Sequence, residues 1–260
     1  MSGGQGAGTL ILSIDLELDL DHHDEQQELR LDAVRTRLIE LTGHHRVGAT
    51  WAVADPLLSV ATDPILAANQ GHEIAVLGDR AWIGPGCGRV RLRRELARRF
   101  TSTRQAGIPV STLALHNTDQ VLDLDLLLEH GVTALRGPAV ERPAYAQKSG
   151  PSPIRFGLWQ PPTARRLTAW TGWWLPAAWL IRSEIQRTIR RRSTLHLHLD
   201  AAALVAAPEP VLKITAAVLR YVAARRDAGQ LAVRTIGELA REALGERSST
   251  PSRSILRPAA

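Results

Sequence analysis

The sequence is poor in the residues that usually announce a mechanism. A single cysteine, Cys87, excludes an internal disulfide and a cysteine-based zinc cluster. Lysine is nearly missing: Lys148 and Lys213 are the only two among 32 basic residues, so the positive charge is carried by arginine. There is no apolar run of about eighteen residues or more, which excludes a transmembrane helix as the expectation. The first eight residues lack a basic stretch followed by an apolar one and do not read as a secretory signal, so cytoplasmic residence is expected. No aromatics interleave with the basic residues in an RNA-binding pattern, and a nucleic-acid partner is not expected.

What is present is an ordinary globular composition, 44% hydrophobic over 260 residues, long enough for one well-buried core. The expected division is a flexible N-terminus at 1–8, one domain at 9–245 and a Ser/Pro/Arg-rich loose tail at 246–260. The formal net charge is +6. Two arginine clusters, Arg89 to Arg99 and Arg182 to Arg192, read either as solvated helix faces or as an anion-binding surface for phosphate or acidic glycans.

Strand-like runs alternate with helical stretches. Strands are predicted at Thr9–Leu16, Val47–Val53, His72–Leu77, Ser111–His116, Val132–Arg136, Thr194–Leu199 and Leu231–Arg234. Helices are predicted at Glu25–Leu41, closed by Gly43, and at Leu57–Ala68, Arg89–Ala106, Gln120–His130 and Pro208–Ala228, with Thr235 capping a last one. Prolines crowd the stretch from Gly137 to Arg166, where an irregular excursion is expected. The alternation argues for a parallel sheet, open or closed into a barrel.

In such folds sites lie at the carboxyl ends of strands, where loops vary without disturbing the core. That rule selects Asp15, Glu17, the segment from Leu77 to Arg80, His116, Asn117, Arg136, His198 and Asp200. Strand alternation puts Ser13, Asp15 and Glu17 on one face, and His196, His198 and Asp200 on another. Asp15 sits in an apolar strand, where an unpaired charge is expensive, so function or a buried partner must account for it. Glu17 could instead be leaving the barrel into solvent, His196 could be a core histidine, and Asp200 could cap a following turn. The acid- and histidine-rich segment Asp19–Asp24 reads as a solvated loop in preference to a metal site.

These stretches, in their order and spacing, resemble the polysaccharide deacetylase family (NodB homology, carbohydrate esterase family 4) from Leu10 to about Leu244. Ser13–Glu17 is similar to the branch whose first motif is Asp-x-Glu. Gly48–Val53 resembles the second strand of that family and Gly71–Ile74 the third. Pro85–Arg89, His130-Gly131, Ala134–Gly137, Gly157–Trp159 and Leu195–Leu197 fit the same branch. The resemblance implies a deformed (β/α) barrel of about seven parallel strands and removal of N- or O-acetyl groups from sugars.

It further implies that Asp15 is the general base, and that Glu17 with two histidines four residues apart holds a divalent metal. Here the two histidine positions are Leu77 and Ala81, neither of which binds a cation, so no metal cofactor is expected. The fourth strand ends in His116-Asn117 where the branch has arginine-asparagine, and the final histidine position falls on Asp200. Some relatives hydrolyse C–N bonds without a metal. Three readings stay open. One is a rebuilt hydrolase using Asp15, His116, His198 and Asp200, with Glu17, Asn117, Arg136, Trp82 and Trp159 contacting a carbohydrate or other small molecule. The others are a non-catalytic glycan-binding or regulatory relative, and a structural partner protein docking through its arginine-rich helices.

Overall fold

A computed structural model describes residues 7–18, 25–68, 71–84, 86–116, 123–138, 151–154, 157–167 and 177–248. Its centre is one ten-stranded sheet, formed by β1 (Gly8–Asp15), β2 (Thr50–Val53), β3 (Glu73–Gly78), β4 (Thr112–Leu115), β5 (Ala134–Arg136), β6 (Ser152–Pro153), β7 (Trp159–Gln160), β8 (Arg165–Arg166), β9 (Thr194–Leu199) and β10 (Leu231–Arg234). The order is β6-β7-β5-β4-β3-β2-β1-β9-β8, with β10 paired to the first half of β1. All pairings are parallel except β6 with β7.

Helices return the chain between these strands, as parallel pairing requires. They are α1 (Glu25–His44), α2 (Thr62–Ala67), α3 (Arg89–Leu96), α4 (Thr103–Gln105), α5 (Leu124–Glu129), α6 (Ala177–Arg191), α7 (Ala201–Ala206), α8 (Pro208–Asp227) and α9 (Ile236–Ser248), with a π-helical segment Ala97–Ser102 joining α3 to α4. Alternation divides the sheet cleanly. Leu10, Leu12, Ile14, Trp51, Val53, Ile74 and Val76 face the helices and join Leu38, Leu96, Phe100 and Val222 in the main core. The odd residues of β1 (Ile11, Ser13, Asp15) point the other way, into the hollow of the sheet.

The sheet must curl to make that hollow. Arg136 on β5 ion-pairs with Asp15 on β1, although three strands lie between them. In a flat sheet four strand spacings are roughly 19 Å, beyond an arginine's reach. The amino ends of the strands are closed by α9. Glu73 accepts hydrogen bonds from Thr50 Oγ1 (2.9 Å), Thr112 Oγ1 (2.5 Å) and the Gly237 N–H (2.8 Å), and Thr50 Oγ1 accepts the Ile236 N–H (3.0 Å). First-turn N–H groups have no partner within their own helix, so a carboxylate beneath them satisfies donors and complements the dipole. Thr235 and Glu238 complete the same helix start with a reciprocal capping box.

Most expected elements are present, with shifted ends. Strand β2 begins at Thr50 instead of Val47, and the stretch from Pro56 to Ala61 forms turns before the short α2. Gly43 lies inside α1, which buries Leu31, Val34, Leu38 and Thr42 while Leu29 is exposed. Gly8 already belongs to β1 and α9 runs to Ser248. The Gly137–Arg166 excursion contributes three two-residue strands, β6 to β8.

Candidate active site

Three strands bring one polar cluster together at the carboxyl side of the hollow. β1 supplies Ser13 and Asp15, β5 supplies Arg136, and β9 supplies His196 and His198, with Ser13 in register with His198. All five are at most 2% exposed. Arg136 Nη2 donates to Asp15 Oδ2 at 2.8 Å, and Nη1 donates to His198 Nδ1 at 2.8 Å and, at 3.4 Å, to Ser13 Oγ. Ser13 Oγ also lies 2.8 Å from His196 Nε2 and 3.3 Å from His198 Nδ1. His198 Nε2 lies 3.6 Å from Asp15 Oδ2, while Asp15 Oδ1 is buried without a hydrogen-bond partner.

Donor and acceptor rules assign the protons. A guanidinium only donates, so His198 Nδ1 is its bare nitrogen and, in the neutral ring, the proton sits on Nε2, facing Asp15. A carbonyl only accepts, so the His196 Nδ1 at 3.0 Å from the Pro162 oxygen carries a proton. Burial pushes His196 down to about 3, and Arg136 adds to that. Burial first, and Arg136 second, hold His198 well below the usual imidazole range. Both rings are therefore neutral near pH 7, because a buried imidazolium beside a guanidinium would be doubly penalised.

The positions where a metal would be held fare differently. Leu77 is buried in an apolar cluster with Ala52, Ala75 and Ala114 inside the hollow. Ala81 offers only backbone, and its N–H is taken by Asp79 Oδ1 at 2.8 Å. Glu17 turns one carboxylate oxygen to the Ala54 N–H at 3.0 Å. Two of the three expected ligand positions thus carry no donor side chain, and the residues present do not fit the family's divalent ion. Among the described residues no group of three or more histidines, cysteines or carboxylates is placed to hold one. The segment Asp19–Asp24 lies outside the described residues.

Other expected site residues are placed elsewhere. Asp200 caps α7 through the Ala202 N–H (2.9 Å) and lies 3.5 Å from Arg166 Nη2, so it serves the helix start. His116 follows β4 at the same rim, its N–H bonded to the Gly78 oxygen. Asn117 lies outside the described residues. Arg136, expected to meet substrate, is buried against Asp15 and His198. Both expected tryptophans are buried. Trp82 is 3% exposed with the Arg99 guanidinium 4.8 Å over its ring. Trp159 packs with Ile11, Ala134 and Ile236 in the floor of the hollow. Neither offers a face on which a sugar could stack.

Sequence reasoning missed the parts of the cluster that come from the excursion. The Pro162 carbonyl and Arg166 arrive beside β9 through β8, two residues whose pairing with Leu197 and His198 has no periodic signal. The pairing of Ser13 with His196 was open to detection, since both alternate with Asp15 and His198 on inward faces.

No protein-family model matches the chain, and no curated protein matches its sequence. Solved structures do. A proposed polysaccharide deacetylase from Mycobacterium smegmatis aligns over the whole of this chain and 97% of its own, with 17% identity and a TM-score of 0.66. A proposed polysaccharide deacetylase involved in O-antigen biosynthesis, from Bordetella bronchiseptica, aligns over 85% of this chain and 91% of its own (14% identity, TM-score 0.51). The 4-alpha-glucanotransferase from Thermococcus litoralis aligns over 91% of this chain but only 40% of its own length (13% identity, TM-score 0.56). The chain has the NodB-like (β/α) barrel fold of the polysaccharide deacetylases.

Proposed function

We propose that this protein is a divergent polysaccharide deacetylase-like hydrolase that acts on acetyl amide or ester groups of a carbohydrate without the family's metal. The observation that carries the reading is Asp15: a buried carboxylate at a strand end, one oxygen fixed by Arg136 and the other with no partner. Arg136 accounts for the charge, and the buried oxygen left without a hydrogen bond is what a catalytic role would explain. In the reaction, Asp15 Oδ1 takes a proton from water as the water oxygen attacks the acetyl carbon. The His198 Nε2–H donates to the carbonyl oxygen as negative charge develops there. Asp15 then returns its proton to the departing amine or hydroxyl, the C–N or C–O bond breaks, and acetate leaves. Neutral His198 acts here as a hydrogen-bond donor and Asp15 alone carries the travelling proton. No step passes through a metal, because Leu77 and Ala81 supply no ligand.

A second reading, a non-catalytic glycan-binding relative, is favoured by one observation: Asp15 is 2% exposed and its Oδ2 is already engaged. One experiment separates the two. Acetate release is measured over a panel of acetylated sugars, with and without chelator, for the native protein and Asp15→Asn. Chelator-resistant turnover that vanishes in Asp15→Asn supports the hydrolase. Turnover that Asp15→Asn leaves intact sinks it, and sugar binding without turnover supports the second reading.

A further inference from the structure

The two arginine clusters look alike in the sequence, and the structure separates them. On α3 and the π-helical segment after it, acids answer the guanidinium groups: Arg89 pairs with Asp123 and Asp125, Arg93 with Glu129, and Arg99 with Glu95. On α6 they do not. α6 and the residue after it carry Arg182, Arg187, Arg190, Arg191 and Arg192, and the neighbouring α8 carries Lys213, Arg220, Arg225 and Arg226. Across 177–192 and 210–226 the only acid is Glu184, and Arg165 of β8 takes it. Of these α6 and α8 cations only Arg226 has an ion pair among the described residues, with Asp227.

Packing decides which way the charges face. Ile181, Ile185 and Thr188 of α6 are buried, so Trp179, Ser183, Arg187 and Arg190 form the opposite stripe. Arg187, Arg190, Arg191 and Arg192 are exposed. Trp179 is 55% exposed, the one exposed tryptophan, tyrosine or phenylalanine among the described residues. From Trp179 to Arg190 the stripe is about 16 Å long at the helical rise per residue. α8 extends it sideways. Tyr221 of α8 gives its hydroxyl to Gln186 and has the Arg182 and Arg225 guanidinium groups over its ring, at 5.6 and 4.8 Å. The other partners of those two arginines are neutral, the Ala217 carbonyl and Gln230. Like charges gathered on one wall repel, and an anionic surface laid over them relieves that.

We propose that the outer face of α6 and α8 is a docking surface for an anionic phospholipid membrane. The cations are spread over two helices side by side, which suits a plane of headgroups. A single-stranded nucleic acid calls for a groove with several stacking rings, and one exposed ring stands here. Tryptophan beside a basic helix face is the side chain that settles at the bilayer interface. α6 leads into β9 and α8 into β10, so both run from the carboxyl rim of the sheet to its amino end. Docking through their outer face therefore leaves the mouth of the hollow open along the membrane plane. This goes beyond the hydrolase reading and does not rest on it.

The test is co-sedimentation of the full chain at low salt with vesicles of phosphatidylcholine alone, and of phosphatidylcholine mixed equally with phosphatidylglycerol. The native protein should bind only the anionic vesicles, and raised salt should release it. Each arginine near such a surface is worth on the order of fivefold in affinity, so Arg187→Gln/Arg190→Gln should bind roughly 25-fold more weakly. Arg187→Lys/Arg190→Lys, which keeps the charge, should bind as the native protein does. Arg91→Gln/Arg94→Gln removes the same charge from exposed positions of α3 and should also bind like the native protein. Trp179→Ala should weaken binding while leaving its salt dependence unchanged. Failure to bind anionic vesicles overturns the proposal. An equal loss in the α3 and α6 glutamine variants does so too, since net charge alone would then be responsible. Release from the vesicles by soluble polygalacturonate at equal total charge would assign the face to an acidic glycan and likewise overturn it.

Discussion

Arg136 and Asp15 form a buried ion pair across the hollow of the sheet, 121 residues apart in sequence and 2.8 Å apart in space. Each side chain is at most 3% exposed. Removing one partner strands the other in a low-dielectric interior, which costs about 3–5 kcal/mol. Arg136→Met should therefore lower the unfolding free energy by about that amount in a urea titration. The double variant Asp15→Leu/Arg136→Met should recover most of the loss, since replacing both charges by apolar groups is close to neutral. A double variant as unstable as the single one would show that the pair is not the cause.

The two site histidines make stability depend on pH. Both have folded pKa values below the ordinary imidazole value of 6.5, so the unfolded chain binds more protons as pH falls through that value. Their contribution is complete above about 6.5 and is lost as pH drops toward the folded values. From pH 7 to pH 5 His196 should cost about 2 kcal/mol, on the order of 1.4 kcal/mol per pH unit below 6.5, and His198 acts in the same direction. Denaturation midpoints measured across this range in the native protein and in His196→Gln check it; equal slopes in the two would remove His196 from the account.

The metal positions give a third expectation. A ligand bound only by the folded protein raises its stability with concentration. Zinc, cobalt or manganese at concentrations far above a usual catalytic site's affinity should leave the midpoint of thermal unfolding unchanged, and chelator should leave it unchanged too. A metal-dependent rise in that midpoint would mean that donors other than Leu77 and Ala81 complete a site.

A fourth concerns the floor of the barrel. A Cβ added at Gly237 would stand 2.5 Å from Glu73 Oε1. Gly237→Ala should therefore destabilise by about 1–3 kcal/mol through crowding. Glu73→Leu should cost at least as much, since it leaves the Gly237 N–H and two threonine hydroxyls without their acceptor. Hydrogen exchange at the start of α9 should accelerate in both; protection equal to that of the native protein would place the anchor elsewhere.

The strands and inward faces of the site were legible in the sequence, and the contacts made there were not. Alternation was sufficient to put Asp15 and His198 on inward faces, because period two leaves a strand only two choices. It could not show that Arg136 crosses the hollow to meet them, since that contact depends on how far the sheet curls. The burial of Trp82 and Trp159 was illegible for a related reason. A tryptophan near a strand end reads the same whether its ring meets a ligand or, as here, Arg99 or the floor cluster. Asp200 was ambiguous between helix cap and catalyst, and the helix start claimed it.

The backbone N–H that Glu73 accepts comes from a segment 164 residues later in the chain. During vectorial synthesis the first strands leave the ribosome long before Gly237 does, and until then that carboxylate has no N–H to receive it at the base of the sheet. The base of the hollow that holds Asp15 is thus closed by the last described helix. Any fragment that stops short of Gly237, however much of the sheet it contains, carries the polar cluster on an open base.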